Sequence, residues 1–292
     1  MGEQVNTAPA KAHVTKKSFG AKIRELQPSV SLCLIIIIIL TFATIFAEWV
    51  VPHDPYEPDL LSRNQPPSLL NILGTDQIGR DTLSRTIFAI RTSVGIALYG
   101  VFAATLIGIT LGISAGFLGG WTDRIISAII DFFYAVPYLL IMLVGIVVLG
   151  TETWVVIVFI SFARWHDTAR LVRGQVFSLR EAPAVEAAFA LGSSRWRVAL
   201  KHILPNLTSV IVVDMSIKFP SLILLESTLS FLGVGVQPPI ASLGSMVGDG
   251  RNYLITNPLI CLAPALTMVT IVMCFQVLGD WIRDISDVRY SD

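Results

Sequence analysis

Long apolar segments constrain this chain more than any other feature of its sequence. Hydrophobic residues make up 53% of the 292 positions, whereas charged residues make up only 14%. Soluble globular chains carry about 25% charged residues. The mean hydropathy of +0.70 agrees with this contrast. The sequence therefore predicts an all-α polytopic membrane protein.

The apolar pattern predicts six transmembrane helices. These spans are 29–51, 93–118, 125–149, 150–172, 207–232 and 258–279. Ten apolar residues, Trp154–Ala163, precede the charges of the fourth span, which is short of the ~20 that a span needs. We keep the fourth span at full length because four spans, counted from a cytoplasmic N-terminus, place the polar stretch 173–206 in the cytoplasm.

The regions between the spans complete the predicted domain organisation. They are a cytoplasmic tail 1–28, extracytoplasmic loops 52–92 and 233–257, the cytoplasmic loop 173–206 and a C-terminal cytoplasmic tail 280–292. Phe19, Ile23 and Leu26 share one helical face, so the first tail could carry a short interfacial helix. The core of the protein is predicted to be 93–282.

The distribution of Lys and Arg gives an orientation. Fifteen of the 21 basic residues fall in segments assigned to the cytoplasm, when the charged end of the fourth span from Arg164 onwards is counted with them, and five fall outside. Cytoplasmic segments of membrane proteins carry such an excess. Both termini are therefore expected in the cytoplasm, and a net charge of zero argues against a nucleic-acid binder.

The polar stretch between the fourth and fifth spans contains residues that typically start and end helices. Its core reads EAPAVEAAFALGSSRWRVALKHILP from Glu181 to Pro205. Pro183 suits a first helical turn, and Gly192 suits the left-handed residue after a helix. Ser193 or Ser194 can cap a second helix, and Pro205 is expected to stop it. The pattern predicts two short helices joined at a bend.

The first outer loop contains a glycine pattern that resembles a phosphate-binding loop. Its residues are Gly74, Thr75, Asp76, Gln77, Ile78, Gly79, Arg80 and Asp81. A phosphate-binding loop needs Lys and then Ser or Thr after the second Gly, where this chain has Arg80 and Asp81. The pattern is therefore read as a capped turn that leads into a helix, and ATP binding is rejected.

Four ionisable residues lie within predicted spans: Asp131, Asp214, Lys218 and Glu226. Such groups usually face a bundle interior or a water-filled path. Asp214 precedes Lys218 by four residues, the favourable order for an ion pair on one helix. Lining of a pathway and a purely structural role both remain open. In the second span, Gly108, Gly112 and Gly116 place small residues on one face for close helix packing.

Catalytic and metal-binding patterns are not found in the sequence. It contains no phosphate-binding lysine motif, no HExxH and no paired-cysteine pattern. The four His residues are scattered, and the three Cys residues fall in apolar segments. We therefore expect neither an enzyme nor a metal site.

Four motifs resemble one transporter family. Glu186, Ala187, Ala188, Gly192, His202, Leu204 and Pro205 occupy positions similar to the EAA loop of the membrane subunits of ATP-binding-cassette (ABC) importers. The general family pattern has Ile where this chain has His202, a change found in the peptide and nickel branch. The strings LGTDQIGRDTLSR, LLESTLSFLGVGVQPP and LGDWIRD also resemble the dipeptide, oligopeptide and nickel permeases.

This resemblance implies a type I ABC importer permease fold and a place in the bacterial inner membrane. The chain would be the second permease subunit, the type with an N-terminal anchor span, and would pair with a homologous permease. Two cytoplasmic ATPase subunits would bind ATP and Mg and dock on the EAA loop, while this chain binds no cofactor. An extracytoplasmic solute-binding protein would deliver the solute.

The resemblance leaves the solute open. Peptides are the first expectation, and nickel or a metal chelate is the alternative within the same family. A non-transporting membrane scaffold and a stand-alone channel or secondary carrier are alternatives from other classes.

Overall fold

The computed structural model describes residues 27–287, and that part of the chain is helical, without a β-strand. The predicted interfacial helix and both chain ends lie outside the described residues. The α-helices are α1 Pro28–Ile45, α2 Ala47–Val50, α3 Thr82–Leu118, α4 Gly120–Ala135, α5 Tyr138–Leu149, α6 Thr153–Phe162, α7 Trp165–Arg180, α8 Pro183–Ala190, α9 Arg195–Val198, α10 Leu204–Phe231, α11 Leu243–Gly250 and α12 Leu259–Asp287. Short 3-10 helices occupy Leu60–Ser62 and Arg251–Tyr253, and a π-helix occupies Ala199–Ile203.

Within 27–287, four helices are long and apolar enough to cross a membrane. They are α1, α3, the helical stretch Arg195–Phe231 that contains α10, and α12. The pair α4 and α5 supplies a fifth if this bent pair is one span. The membrane fold class is thus confirmed, while the number six stays a prediction because α6 and α7 do not form one continuous span.

Two predicted spans are broken helices. The span 125–149 divides into α4 and α5, which meet at 87° around Pro137. Proline lacks the backbone N–H and its ring clashes with the preceding turn, so it ends a helix. The span 150–172 divides at Ala163 and Arg164, and Arg164 has a left-handed backbone with φ +58°.

Helix boundaries also differ from the expectation at four other places, of which the first is the span 29–51, which divides at Phe46 into α1 and α2. Helix α3 begins at Thr82 rather than at 93, because the Asp81 side chain caps it by accepting from the Ser84 N–H at 2.8 Å. The second outer loop contains α11, and α12 continues from the sixth predicted span to Asp287.

The glycine face of α3 is the packing surface for α7. A Cβ on Gly108 would lie 2.4 Å from the Thr168 Cβ, and one on Gly112 would lie 2.8 Å from the Val172 Cβ. One on Gly116 would lie 2.8 Å from the Val176 Cβ. The predicted close approach is confirmed, and the absence of side chains on α3 sets the separation of these two helices.

Candidate functional site

The bend of the loop 173–206 is built around Gly192. This residue has φ +80°, where an L side chain is strained. The Ser193 N–H donates to the Ala188 carbonyl at 3.0 Å, and the Gly192 N–H donates to the Phe189 carbonyl at 2.9 Å. These two bonds form the Schellman motif that ends α8. The predicted first helix and its glycine bend are therefore confirmed.

The second half of the loop is capped as expected but does not stop at Pro205. Ser194 caps α9, since its Oγ accepts from the Arg197 N–H at 3.4 Å. Beyond α9 the π-helix leads directly into α10, and Pro205 lies in the first turn of α10. The expectation that Pro205 ends the helix was wrong. The wide π turn offers a physical reason, because it relieves the contact between a proline ring and the preceding turn.

One side of this loop is fixed to the rest of the chain. Val185, Ala188, Val198 and Ile203 are buried and join an apolar cluster that includes residues of α3 and α7. The Phe189 ring also stacks on Phe117 of α3, with ring centroids 6.0 Å apart. The two short helices are therefore anchored to the C-terminal parts of α3 and α7.

The other side of the loop is an exposed surface that we call the docking face. It consists of Glu186, Leu191, Trp196 and Leu200. Leu191 is 87% exposed and Trp196 is 75% exposed, so this face of the loop is largely apolar. Ala187 and Pro205 are exposed as well, whereas Ala188 is buried and His202 and Leu204 are half-buried. Leu191 directly precedes the glycine bend.

The glycine pattern of the outer loop folds into a compact turn. The Asp76 Oδ1 accepts from the N–H groups of Ile78 and Arg80, each at 3.0 Å. The Arg80 Nε donates to the Asp76 Oδ2 at 2.7 Å, and both side chains are nearly fully buried. Gly74 and Gly79 have φ +74° and +88°. A Cβ on Gly79 would lie 1.7 Å from the Asp59 carbonyl oxygen. This is the capped turn that the sequence predicts.

This turn is fastened to the second outer loop. The Asn257 Nδ2 donates to the Gln65 carbonyl at 3.0 Å and to the Thr75 carbonyl at 3.4 Å. Asp249 of α11 lies near Arg80 and Asp76, and burial raises the pKa of its carboxyl group. The two outer loops thus form one unit.

Asp214 and Lys218 form the predicted ion pair. The Lys218 Nζ lies 2.6 Å from the Asp214 Oδ2, and Lys218 is 2% exposed. Thr168 of α7 completes the group, because its Oγ1 donates to the Asp214 Oδ2 at 2.8 Å and also contacts the Lys218 Nζ. Thr168 is far away in sequence, and nothing in its local sequence identifies it.

Glu226 is fully buried within a group of serine hydroxyls. The Ser230 Oγ donates to the Glu226 Oε1 at 2.7 Å, and the Ser227 Oγ lies 3.4 Å from the Oε2. The hydroxyls of Ser93 on α3 and Ser242 at the start of α11 also contact this carboxyl group. The Leu243 N–H donates to the Ser93 Oγ at 3.0 Å. Glu226 therefore joins α10 to α3 and α11.

Asp131 belongs to a connected row of side chains where the two broken spans meet. The Arg164 Nε donates to the Asp167 Oδ2 at 2.8 Å, and the Tyr134 Oη donates to the Asp167 Oδ1 at 2.7 Å. The Arg170 guanidinium lies 4.1 Å from the centroid of the Tyr134 ring, and its Nη2 donates to the Asp131 Oδ1 at 2.6 Å. We call these five residues the midspan cluster.

The sequence-predicted residues thus form separate groups. The EAA-like residues lie in the loop 173–206, and the glycine pattern lies in the turn at the opposite end of the subunit. The four ionisable residues of the predicted spans lie between them in three different environments. Among residues 27–287, no group of three or more His, Cys, Asp or Glu side chains could hold a metal ion.

Comparison with known proteins identifies the family. The model described as "Binding-protein-dependent transport system inner membrane component" matches residues 108–292. The model described as "N-terminal TM domain of oligopeptide transport permease C" matches residues 28–67. The chain belongs to the family of inner membrane components of binding-protein-dependent transport systems.

Named relatives and solved structures agree with this assignment. The probable D,D-dipeptide transport system permease protein DdpC of Escherichia coli K12 is 36% identical over 87% of this chain and 86% of the relative. The oligopeptide transport system permease protein OppC of Bacillus subtilis is 37% identical over 88% of this chain and 84% of the relative. An inward-facing structure of the MetNI methionine ABC transporter matches 70% of this chain and 97% of that chain, with a TM-score of 0.55 and 20% identity. This structural match shows the fold of an ABC importer permease.

Proposed function

We propose that this chain forms half of the translocation pathway of an ABC importer for peptides. Its neighbours in the complex are a homologous permease, two cytoplasmic ATPase subunits that bind ATP and Mg, and an extracytoplasmic peptide-binding protein. The observation that carries this proposal is the docking face, an exposed apolar surface on two short helices that are anchored to the span helices.

The geometry of the loop supports its role in coupling. Its second half continues without interruption from Arg195 to Phe231 as a helical stretch of 37 residues. At 1.5 Å per residue, this stretch is about 55 Å long, which exceeds the thickness of the bilayer. A displacement of the docking face by an ATPase subunit is therefore carried directly into the membrane.

The proposed mechanism is alternating access. ATP binding closes the two ATPase subunits and moves the docking faces that contact them. The attached helices α7 and α10 then move as rigid bodies and open the central cavity towards the loaded binding protein. Hydrolysis resets the inward-facing state. The difference in ATPase contacts between the two states supplies the driving force.

Peptides are proposed over nickel on two grounds. The relatives reported above carry dipeptide and oligopeptide names. Residues 27–287 also provide no cluster of metal-ligating side chains, which bare nickel would need for direct binding along the path.

In the proposed topology, six spans place both termini and the coupling loop in the cytoplasm.

Alteration of the docking face tests this proposal. We expect Trp196→Ala with Leu200→Asp to reduce co-purification of the ATPase subunits by at least about tenfold, because central aromatic and apolar contacts dominate interfaces. The matched control is Leu61→Asp, at an outer-loop leucine that is 95% exposed.

The measurement is the molar ratio of ATPase to permease after affinity purification in detergent, followed by peptide uptake in proteoliposomes. Loss of ATPase in the double variant but not in the control supports the proposal. An undiminished ratio and full uptake in the double variant would contradict it, and uptake by the chain alone would favour a channel or carrier.

A further inference from the structure

One member of the midspan cluster, Arg164, lies near the middle of the apolar core, whereas Arg170 follows Ala169, which packs on Gly112, and so lies about 9 Å nearer the C-terminal end of α3. Helix α6 has ten residues, which span about 15 Å, or half of an apolar bilayer core of ~30 Å. The break at Arg164 comes directly after the end of α6 in the chain. Packing against α3 gives the same depth, because Gly100 faces Ile160 and Gly108 faces Trp165 and Thr168. Arg164 is thus level with the middle of the apolar stretch 93–118.

Three of the four charged members of this cluster are exposed on the surface of the subunit, and the fourth, Asp167, is 23% exposed. The side chains of Arg164, Arg170 and Asp131 are 45%, 52% and 68% exposed. Charged groups at this depth are costly in contact with lipid and face a protein interior or a water-filled path. This exposure separates the cluster from Asp214, Lys218 and Glu226, whose side chains are buried or nearly so.

The local backbone supports a water-filled path at the same place. Both broken spans interrupt their helices here, at Pro137 and at Arg164. Non-helical backbone at membrane depth is tolerated where it is buried in protein or lines an aqueous cavity. Discontinuous helices at mid-depth also form the substrate sites of many transporters.

On the basis of the proposed function, we infer that the midspan cluster is a binding subsite for the transported peptide, at which Arg164 and Arg170 receive its carboxylate and Asp131 receives its ammonium group. Each guanidinium has five N–H donors. Each uses one of them for the hydrogen bond to an aspartate described above. The remaining donors, on half-exposed side chains, can bind a second carboxylate with the planar geometry that arginine favours.

The charge balance of the cluster selects for a zwitterion. Its two arginines and two aspartates sum to zero when all four are ionised. A neutral set of opposite charges attracts neither a bare cation nor a bare anion strongly, but it can pair with both ends of a peptide. The exposed Tyr134 ring adds an apolar surface for a side chain of the peptide.

Substitutions in the full complex test this subsite. The complex is placed in proteoliposomes with its binding protein, and trialanine is the probe. The readout is peptide uptake per ATP hydrolysed, measured for Arg164→Gln, Arg170→Gln and Arg170→Lys. Arg124→Gln is the matched control, since Arg124 is an exposed arginine on α4, the helix that carries Asp131.

We expect each Gln variant to lower uptake per ATP by at least about tenfold, the effect of one lost charge-assisted hydrogen bond. Arg170→Lys keeps the charge but loses the planar fork, so it retains part of the uptake. The control retains all of it. Stimulation of hydrolysis by the loaded binding protein persists in all four variants, which shows that they are folded and assembled.

Two results would overturn the inference while leaving the proposed function intact. One is unchanged uptake per ATP in both Gln variants. The other is dissociation of the purified complex in these variants, which would identify the cluster as a contact between subunits. A wild-type complex without stimulated hydrolysis would overturn the proposed function and the subsite together.

Discussion

At the scale of single residues, Glu226 shows how one buried carboxyl group organises several segments. Four serine side chains from α3, α10 and the start of α11 contact it. These hydroxyls have no access to water, because Ser93 and Ser242 are 0% exposed and the other two are 4% exposed. Removal of the acceptor would leave buried donors without a partner, which is more costly than the loss of one hydrogen bond.

We therefore predict that Glu226→Leu lowers the stability of the folded chain by about 1–3 kcal/mol for each hydroxyl left unpaired. Glu226→Gln retains an acceptor oxygen and a similar shape, so its effect is expected to be smaller. The measurement is the midpoint of thermal unfolding in detergent. Equal midpoints for the Leu variant and the wild type would show that the serine contacts do not stabilise the fold.

The intramembrane residues also show what a sequence can and cannot predict. The spacing of Asp214 and Lys218 predicts their ion pair, because four residues separate neighbours on one helical face. Thr168 joins them only because α7 packs beside α10. Contacts of this kind depend on tertiary structure, and the local sequence around Thr168 carries no signal for them.

At the scale of helices, the contact between α3 and α7 depends on glycine. A Cβ on Gly112 would lie 2.7 Å from the Ala169 carbonyl oxygen, whereas a Cβ on Gly95 of the same helix has nothing within 4 Å. We predict that Gly112→Ala destabilises the chain by about 1–3 kcal/mol through overpacking. Gly95→Ala is the matched control and is expected to be neutral or slightly stabilising, since Ala favours helix.

The thermal midpoints of the two variants in detergent check this prediction. A lowered midpoint for Gly112→Ala alone supports close packing as the reason for the glycine face. If both variants unfold at the wild-type temperature, the two helices can separate at little cost and the glycines have another role.

The helix breaks show the limit of sequence reasoning at this scale. Membrane-length apolar runs and capping residues correctly predict α1, α3 and the two short loop helices. Pro137 offers a signal for the first break, but it was assigned to the interior of one span. The early end of the apolar run at Ala163 is a local signal for the second break, but the left-handed backbone of Arg164, which is neither Gly nor Asn, has none. Pro205 predicts a helix end where the structure has a continuous helix, because a π turn precedes the proline.

At the scale of the whole molecule, one row of contacts connects the loop 173–206 to the turn that contains Arg80. The helical stretch from Arg195 to Phe231 begins at the docking face and passes the buried group of Asp214 and Lys218. Near its outer end, Glu226 contacts Ser242 at the start of α11. Asp249 of α11 in turn lies near Arg80 of the first outer turn. A continuous row of contacts thus links the loop to the outer turn, and the proposed mechanism uses this row to connect the two ends of the subunit.

The most direct test of this account is ATP hydrolysis by the purified complex in lipid, with and without peptide-loaded binding protein. We compare the wild type with Gly192→Pro and Gly192→Asn. Proline cannot adopt φ +80°, whereas asparagine tolerates the left-handed region. With proline at this position the backbone must take a negative φ, so the two short helices would meet at a different angle and the docking face would be displaced.

The account predicts that stimulation by the binding protein is retained in Gly192→Asn and falls by at least about tenfold in Gly192→Pro, the effect of one to two lost interface contacts. Both variants should still insert into the membrane, which detergent extraction of the folded chain can verify. Stimulation at the wild-type level in Gly192→Pro would contradict the central claim that this loop couples the permease to ATP hydrolysis.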